Sequence, residues 1–189
     1  LIARRAVLVT MLLASGSCGR IGYDPAGPGS ADASALAVIN VQYNPAMPDR
    51  ATDDWVRPHL NLVNGSSQEM PLAELTVRYW YTEEMPAPQS LACDYAVIGC
   101  PNLIATFSPL TPPRAGADEV MEIQFLPAAG TLPAGAETQV MELRIGKSDF
   151  SAYDETDDYS YDGSLTELTD DRRITLYRNG VLVWGTEPS

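Results

Sequence analysis

Histidine is nearly missing from this chain: His59 is the only one among 189 residues. A Ser-His-Asp triad could be built on that residue alone, and no histidine cluster exists to hold a transition metal. Basic residues are scarce as well, 12 Lys and Arg against 25 Asp and Glu, for a net charge of −13. Such a surface repels nucleic acid and anionic lipid. A neutral polysaccharide, a cation or a basic protein remains compatible with it. Three cysteines cannot make the paired couples of a zinc site. No stretch of ten residues carries a 3.6-residue apolar period, so helices are not expected.

The apolar run near the start, "AVLVTMLLA" at 6–14, is nine residues long and too short to cross a bilayer. With Arg4 and Arg5 before it and small residues up to Cys18, residues 1–18 read as an export signal. "ASGSC" (14–18) resembles a bacterial lipoprotein cleavage box with Cys18 lipidated, although Ser15 stands where an aliphatic residue is usual. Ordinary cleavage near "ASA" (33–35) is the other reading. Residues 19–35, rich in Gly, Pro, Ser and Ala, read as a flexible tether. An extracellular or cell-surface location follows, with membrane contact only through a lipid anchor.

Export places the other cysteines in an oxidising compartment. Cys93 and Cys100 bracket "CDYAVIGC", and a bridge there would stabilise the fold by about 2.5 kcal/mol through loop closure. Free thiols are the alternative.

What the chain has in quantity is alternation. Ile39, Val41 and Tyr43 share one face of residues 36–44. So do Leu75, Val77, Tyr79 and Tyr81 of 75–82, Met121, Ile123 and Phe125 of 119–125, and Met141, Leu143 and Ile145 of 139–145. "RITLYRNGVLVWG" (173–185) reads as a hairpin turning at Asn179-Gly180. Fifteen prolines and fourteen glycines punctuate these short strands. The expectation is an all-β sandwich with one domain at 36–188.

"RPHLNLVN", "PLAELTVRYWYT", "CDYAVIGC", "GADEVMEIQF", "KSDFSAY", "DYSYD" and "ITLYRNGVLVWG" follow one another as in family 3 carbohydrate-binding modules, which the chain resembles from 37 to 188. The resemblance implies a nine-stranded jelly-roll β-sandwich that binds cellulose or a related plant polysaccharide without catalysis, as a monomer. It implies a structural calcium held by Thr82, Glu84, Asp154, Asp157 and Asp158, in and near the acidic stretch "YDETDDYSYDG" (153–163). Carboxylates, hydroxyls and carbonyls are the oxygen ligands calcium takes. Glu84 departs from the usual Asp, and Asp154 and Asp157 stand where Thr and Asn are common. A merely solvated acidic loop is the bland alternative.

The resemblance also implies a flat binding strip of Asp94, Tyr95, Arg144 and Phe150. Its rings would lie on the apolar face of a glucose unit while polar groups reach the hydroxyls. Phe150 replaces the usual Trp, and the loop after Cys100 is too short to carry the further aromatic that some members have. Trp55 fills a position that is usually polar, as either a packing change or an extra surface platform. Tyr79, Tyr81 and Trp184 are expected in the core, and His59 as a structural residue. A small secreted glycosidase would need two carboxylates about 5–9.5 Å apart across a cleft. Most of the acidic cluster is assigned to calcium instead. An interaction or adhesion module with little cellulose affinity is the third class.

Overall fold

The computed structural model describes residues 39–189. The export signal, Cys18 and the whole of the tether therefore lie outside the described residues.

Two antiparallel sheets stack face to face. The first holds β1 (Ile39–Pro45), β3 (Trp55–Val56), β4 (Pro58–Asn64), β7 (Gln89–Ala96), β11 (Met141–Lys147) and β13 (Thr169–Asp170). Its order is β13-β1-β4-β11-β3, with β7 on the other side of β11. The second holds β6 (Leu75–Tyr81), β8 (Leu103–Arg114), β9 (Ala117–Phe125), β14 (Thr175–Arg178) and β15 (Val181–Trp184), ordered β15-β14-β6-β9-β8. Two small pairs complete the set: β2 (Thr52–Asp53) with β12 (Tyr153–Asp154), and β5 (Met70–Pro71) with β10 (Thr131–Leu132). The six and five strands of the two main sheets divide the sandwich more finely than the nine expected. Among the described residues there is no α-helix, only single 3-10 turns.

The alternation has the physical consequence expected of it. Ile39, Val41 and Tyr43 of β1, Leu60 and Leu62 of β4, and Met141, Leu143 and Ile145 of β11 are buried against Leu75, Val77, Tyr79 and Tyr81 of β6 and Met121, Ile123 and Phe125 of β9. Each fully buried aliphatic side chain is worth about 1.5–3 kcal/mol relative to exposure. Asn179 (φ 49°) and Gly180 (φ 79°) turn the β14–β15 hairpin with both residues left-handed, as a two-residue hairpin loop of this type requires. Trp184 is only half-buried. It packs on the core edge and donates its indole N–H to the Asp171 carbonyl at 3.0 Å.

Two features escaped the alternation. Trp80 points away from the main core, yet it is buried in a second cluster with Ala117 and Val120 and donates to Thr175 Oγ1 at 2.9 Å. The long strand β8 contains Pro109, Pro112 and Pro113, residues that normally argue against a strand. It tolerates them because it is the edge strand of its sheet, where one row of N–H groups needs no ladder partner.

A row of tyrosines links the core to the acidic stretch. Tyr43, Tyr79, Tyr81 and Tyr153 follow one another with ring centroids 6.0, 6.2 and 6.1 Å apart. Gln89 Oε1 accepts from the hydroxyls of Tyr81 and Tyr153 at 2.6 and 2.8 Å, which ties β7 to that row.

Candidate functional site

The acidic stretch folds back as β12 and one 3-10 turn, Glu155–Asp157, and meets the chain leaving β6. Thr82, just past β6, donates its amide to Asp158 Oδ1 at 2.7 Å. Its Oγ1 lies 2.9 Å from Asp158 Oδ1, 3.0 Å from Glu84 Oε1 and 3.1 Å from Asp157 Oδ1. One hydroxyl has one proton, so it can donate to only one of these three oxygens. With all three carboxyls ionised, the other two contacts bring bare oxygens together. Glu84, Asp157 and Asp158 each offer a carboxylate oxygen within 4.8 Å of the others. Asp158 is buried and its Oδ2 has no hydrogen-bond partner. Burial pushes the Asp158 carboxyl up to about 8, against the lowering effect of its hydrogen bonds to Thr82. This all-oxygen set is one that suits a hard cation such as calcium.

Asp154 does not join with its side chain. Its Oδ1 accepts from Thr156 N (3.2 Å) and Thr156 Oγ1 (2.7 Å), capping the 3-10 turn, while its amide donates to Glu84 Oε1 at 3.2 Å. A residue that sequence reasoning missed stands beside the cluster. The buried Lys147 places Nζ 3.5 Å from Glu84 Oε2 and 4.1 Å from the Tyr153 ring, and donates to the carbonyls of Glu83 and Ala152. Its position at the end of β11, on the inward face, was the available signal.

Asp94, Tyr95 and Arg144 of the predicted strip lie on the outer face of the first sheet. Arg144 in β11 and Asp94 in β7 form a two-point ion pair, Nε to Oδ2 at 2.6 Å and Nη2 to Oδ1 at 2.7 Å. That hydrogen bonding holds the Asp94 carboxyl below its usual range and raises the Arg144 guanidinium. Tyr95 is half exposed, at 50%. Phe150 is 70% exposed at the tip of the turn after β11, where φ of 59° puts a bulky residue in the left-handed region. Asp149 Oδ1 accepts from Ser151 N and Oγ at 3.1 and 2.8 Å and locks the turn that presents the ring.

The Cys93–Cys100 bridge is formed, with Cα atoms 5.6 Å apart, and closes the loop that leaves β7 just beyond Asp94 and Tyr95. A cleft of about 440 Å³ opens between the edges of β7 and β8, lined by Leu91, the two bridged cysteines, Leu103 and Phe107. None of the residues expected to bind the glycan or calcium lines it. His59, in β4, lies opposite Asn44 and Glu142 as a sheet residue.

Trp55 is half-buried in β3, directly across from Gly146 of β11. Its ring stands 4.6 Å, centroid to carbon, from the Arg144 guanidinium. Packing and platform were the two readings open for it, and the ring takes a place beside the strip.

Residues 40–185 match the family described as "Cellulose binding domain". Among curated proteins the chain is 40% identical over 139 residues to a beta-mannanase/endoglucanase A of Caldicellulosiruptor saccharolyticus, covering 74% of this chain and 10% of that protein. It is 36% identical over 148 residues to endoglucanase A of Paenibacillus lautus, covering 78% of this chain and 21% of that protein. It thus spans a small part of these relatives. Among solved structures it is similar to the CBM3b of the major scaffoldin subunit of Acetivibrio cellulolyticus, with a TM-score of 0.78, 33% identity, and coverage of 82% of this chain and 99% of that one.

Proposed function

The chain belongs to the cellulose-binding domain family, the non-catalytic family 3 carbohydrate-binding modules, and on that premise we propose that it attaches to cellulose through the outer face of its first sheet. One observation supports the reading: Tyr95, opposite Glu142 at the start of β11, and Phe150, just past the end of β11, are exposed rings, and the two-point Arg144–Asp94 pair lies on the strands between them. The rings remove the C–H face of a sugar from water. The guanidinium has five N–H donors, and the two bonds to Asp94 leave three for sugar hydroxyls.

A structural calcium belongs to the same proposal, held by Thr82, Glu84, Asp157 and Asp158. It is supported by the three carboxylate oxygens around one hydroxyl and by the unpartnered Asp158 Oδ2. When bound it supplies charge neutralisation only. Lys147 already neutralises part of Glu84. An extracellular setting is supported by the Cys93–Cys100 bridge, since disulfides persist in oxidising compartments.

The test is sedimentation of the protein with washed crystalline cellulose, with the supernatant assayed for released sugars. Binding without sugar release is expected. Affinity should change little between low and moderate salt, because the ligand is neutral and the contacts are short-range. Failure to sediment at high cellulose load would overturn the assignment.

A further inference from the structure

The Arg144–Asp94 pair is partly exposed: its side chains are 34% and 42% accessible. A two-point pair fixes the guanidinium against its carboxylate, but holding both partly exposed side chains in one geometry still costs entropy. Something else must keep the guanidinium plane parallel to the sheet if it is to lie against a sugar.

Two strands flank β11 at this point. From β7, Asp94 grips Arg144 at two points, 2.6 and 2.7 Å. From β3, on the opposite side, Trp55 sets its ring 4.6 Å from the guanidinium carbon. The ring can reach that place because its cross-strand neighbour is Gly146. A Cβ there would stand 2.5 Å from one ring carbon and 2.8 and 2.9 Å from two others. Any larger residue would lift the indole off the strand and away from Arg144. Trp55 is held from its own side as well, since Arg57 Nη1 donates to the Trp55 carbonyl at 3.2 Å and to Asp53 Oδ2 at 2.8 Å.

We propose that Trp55 is a positioning residue of the glycan-binding face: its indole, seated over Gly146, stacks on Arg144 and holds the Arg144–Asp94 pair flat for a pyranose ring. The inference rests on the cellulose reading for its ligand, but not for its geometry. Trp55 acts through Arg144. The binding face thereby spans three strands, β3, β11 and β7, and its rigid centre is an arginine clamped between a carboxylate and an indole.

Two kinds of measurement test it. Without ligand, the Arg144 Nε–H resonance should carry a ring-current shift that Trp55→Ala abolishes. Gly146→Ala, which leaves the indole in the chain but displaces it, should reduce the same shift. With cellulose, Trp55→Ala should weaken binding roughly two- to fivefold, the scale of an exposed cation–π contact. In an Arg144→Ala background it should cost nothing further. Trp55→Phe keeps a ring and β3 packing, and should fall between wild type and alanine. It serves for both readouts should the alanine variant not fold. An unchanged Arg144 resonance in the Trp55 variants would overturn the proposal. So would additive losses in the double mutant, because Trp55 would then touch the glycan independently. If wild-type protein does not bind cellulose, the ligand reading fails, while the resonance still decides whether Trp55 orders Arg144.

Discussion

Asp94 and Tyr95 are neighbours in sequence, yet both face solvent on the same side of the first sheet. In a regular strand successive side chains alternate. Here the pairing of β7 with β11 skips a residue: Leu143 lies opposite Cys93 and Glu142 opposite Tyr95, so Asp94 is the extra residue of a β-bulge. The bulge resets the parity, letting Cys93 and Ala96 pack inward against the core while Asp94 and Tyr95 project outward between them.

That arrangement makes the two rings the test of the strip. Tyr95→Ala and Phe150→Ala should each cost about 1–2 kcal/mol of binding, or about fivefold to thirtyfold in affinity. Melting temperatures should stay close to wild type because both rings are exposed. Cellulose isotherms beside thermal melts check this, and a double mutant that binds as well as wild type would move attention off this face.

Phe150 separates stability from binding in a second way. Its left-handed φ of 59° costs a bulky side chain about 1–2 kcal/mol that glycine does not pay. Phe150→Gly should therefore raise or preserve stability while weakening cellulose binding. Phe150→Trp should strengthen binding by adding ring area. Denaturant midpoints and isotherms on the same variants show whether the two properties part.

Chelation should lower the melting temperature reversibly. A ligand at a hundredfold excess over Kd stabilises the native state by about 2.7 kcal/mol. Asp158→Asn keeps the shape and removes the buried charge, so it should abolish the calcium response. Identical wild-type melts with calcium and with chelator would return residues 153–163 to a solvated acidic loop.

Glu119 predicts a pH effect. Burial first, then the charges of Glu83 and Asp118, push its carboxyl from 4.5 to about 7. The folded state thus holds this proton more tightly than the unfolded chain. The resulting stabilisation is complete below pH 4.5 and is lost as pH rises through 7. Glu119→Gln should flatten that fall. Denaturation midpoints across this window, with calcium saturating and wild type alongside, measure the difference, and parallel profiles would refute it.

Reduction should loosen the strip as well as the fold. The Cys93–Cys100 bridge closes the loop immediately after the bulge, and its loss should cost about 2.5 kcal/mol on the loop-closure account. Amide exchange at Asp94 and Tyr95 should accelerate on reduction, and intact protein should show no reactive thiol at either cysteine.

The alternating residues of β1, β6, β9 and β11 determine the sandwich by themselves. A period of two sorts each side chain to a face, and the apolar face must find another one to cover it. Asn179-Gly180 likewise determines its hairpin, because few residues accept two left-handed positions in a row. The composition of the acidic stretch announced a cluster of oxygens. Which oxygens meet was decided by the fold, which turns Asp154 onto Thr156 and brings Lys147 to Glu84 from a distant strand. The proposed strip could be read only as residue types, not as a shape. A bulge depends on the partner strand's register, and a register is a relation between segments that neither segment contains. Trp55 shows the same limit. Nothing local distinguishes it from a packing residue until β3 lies against Gly146 and the indole meets Arg144.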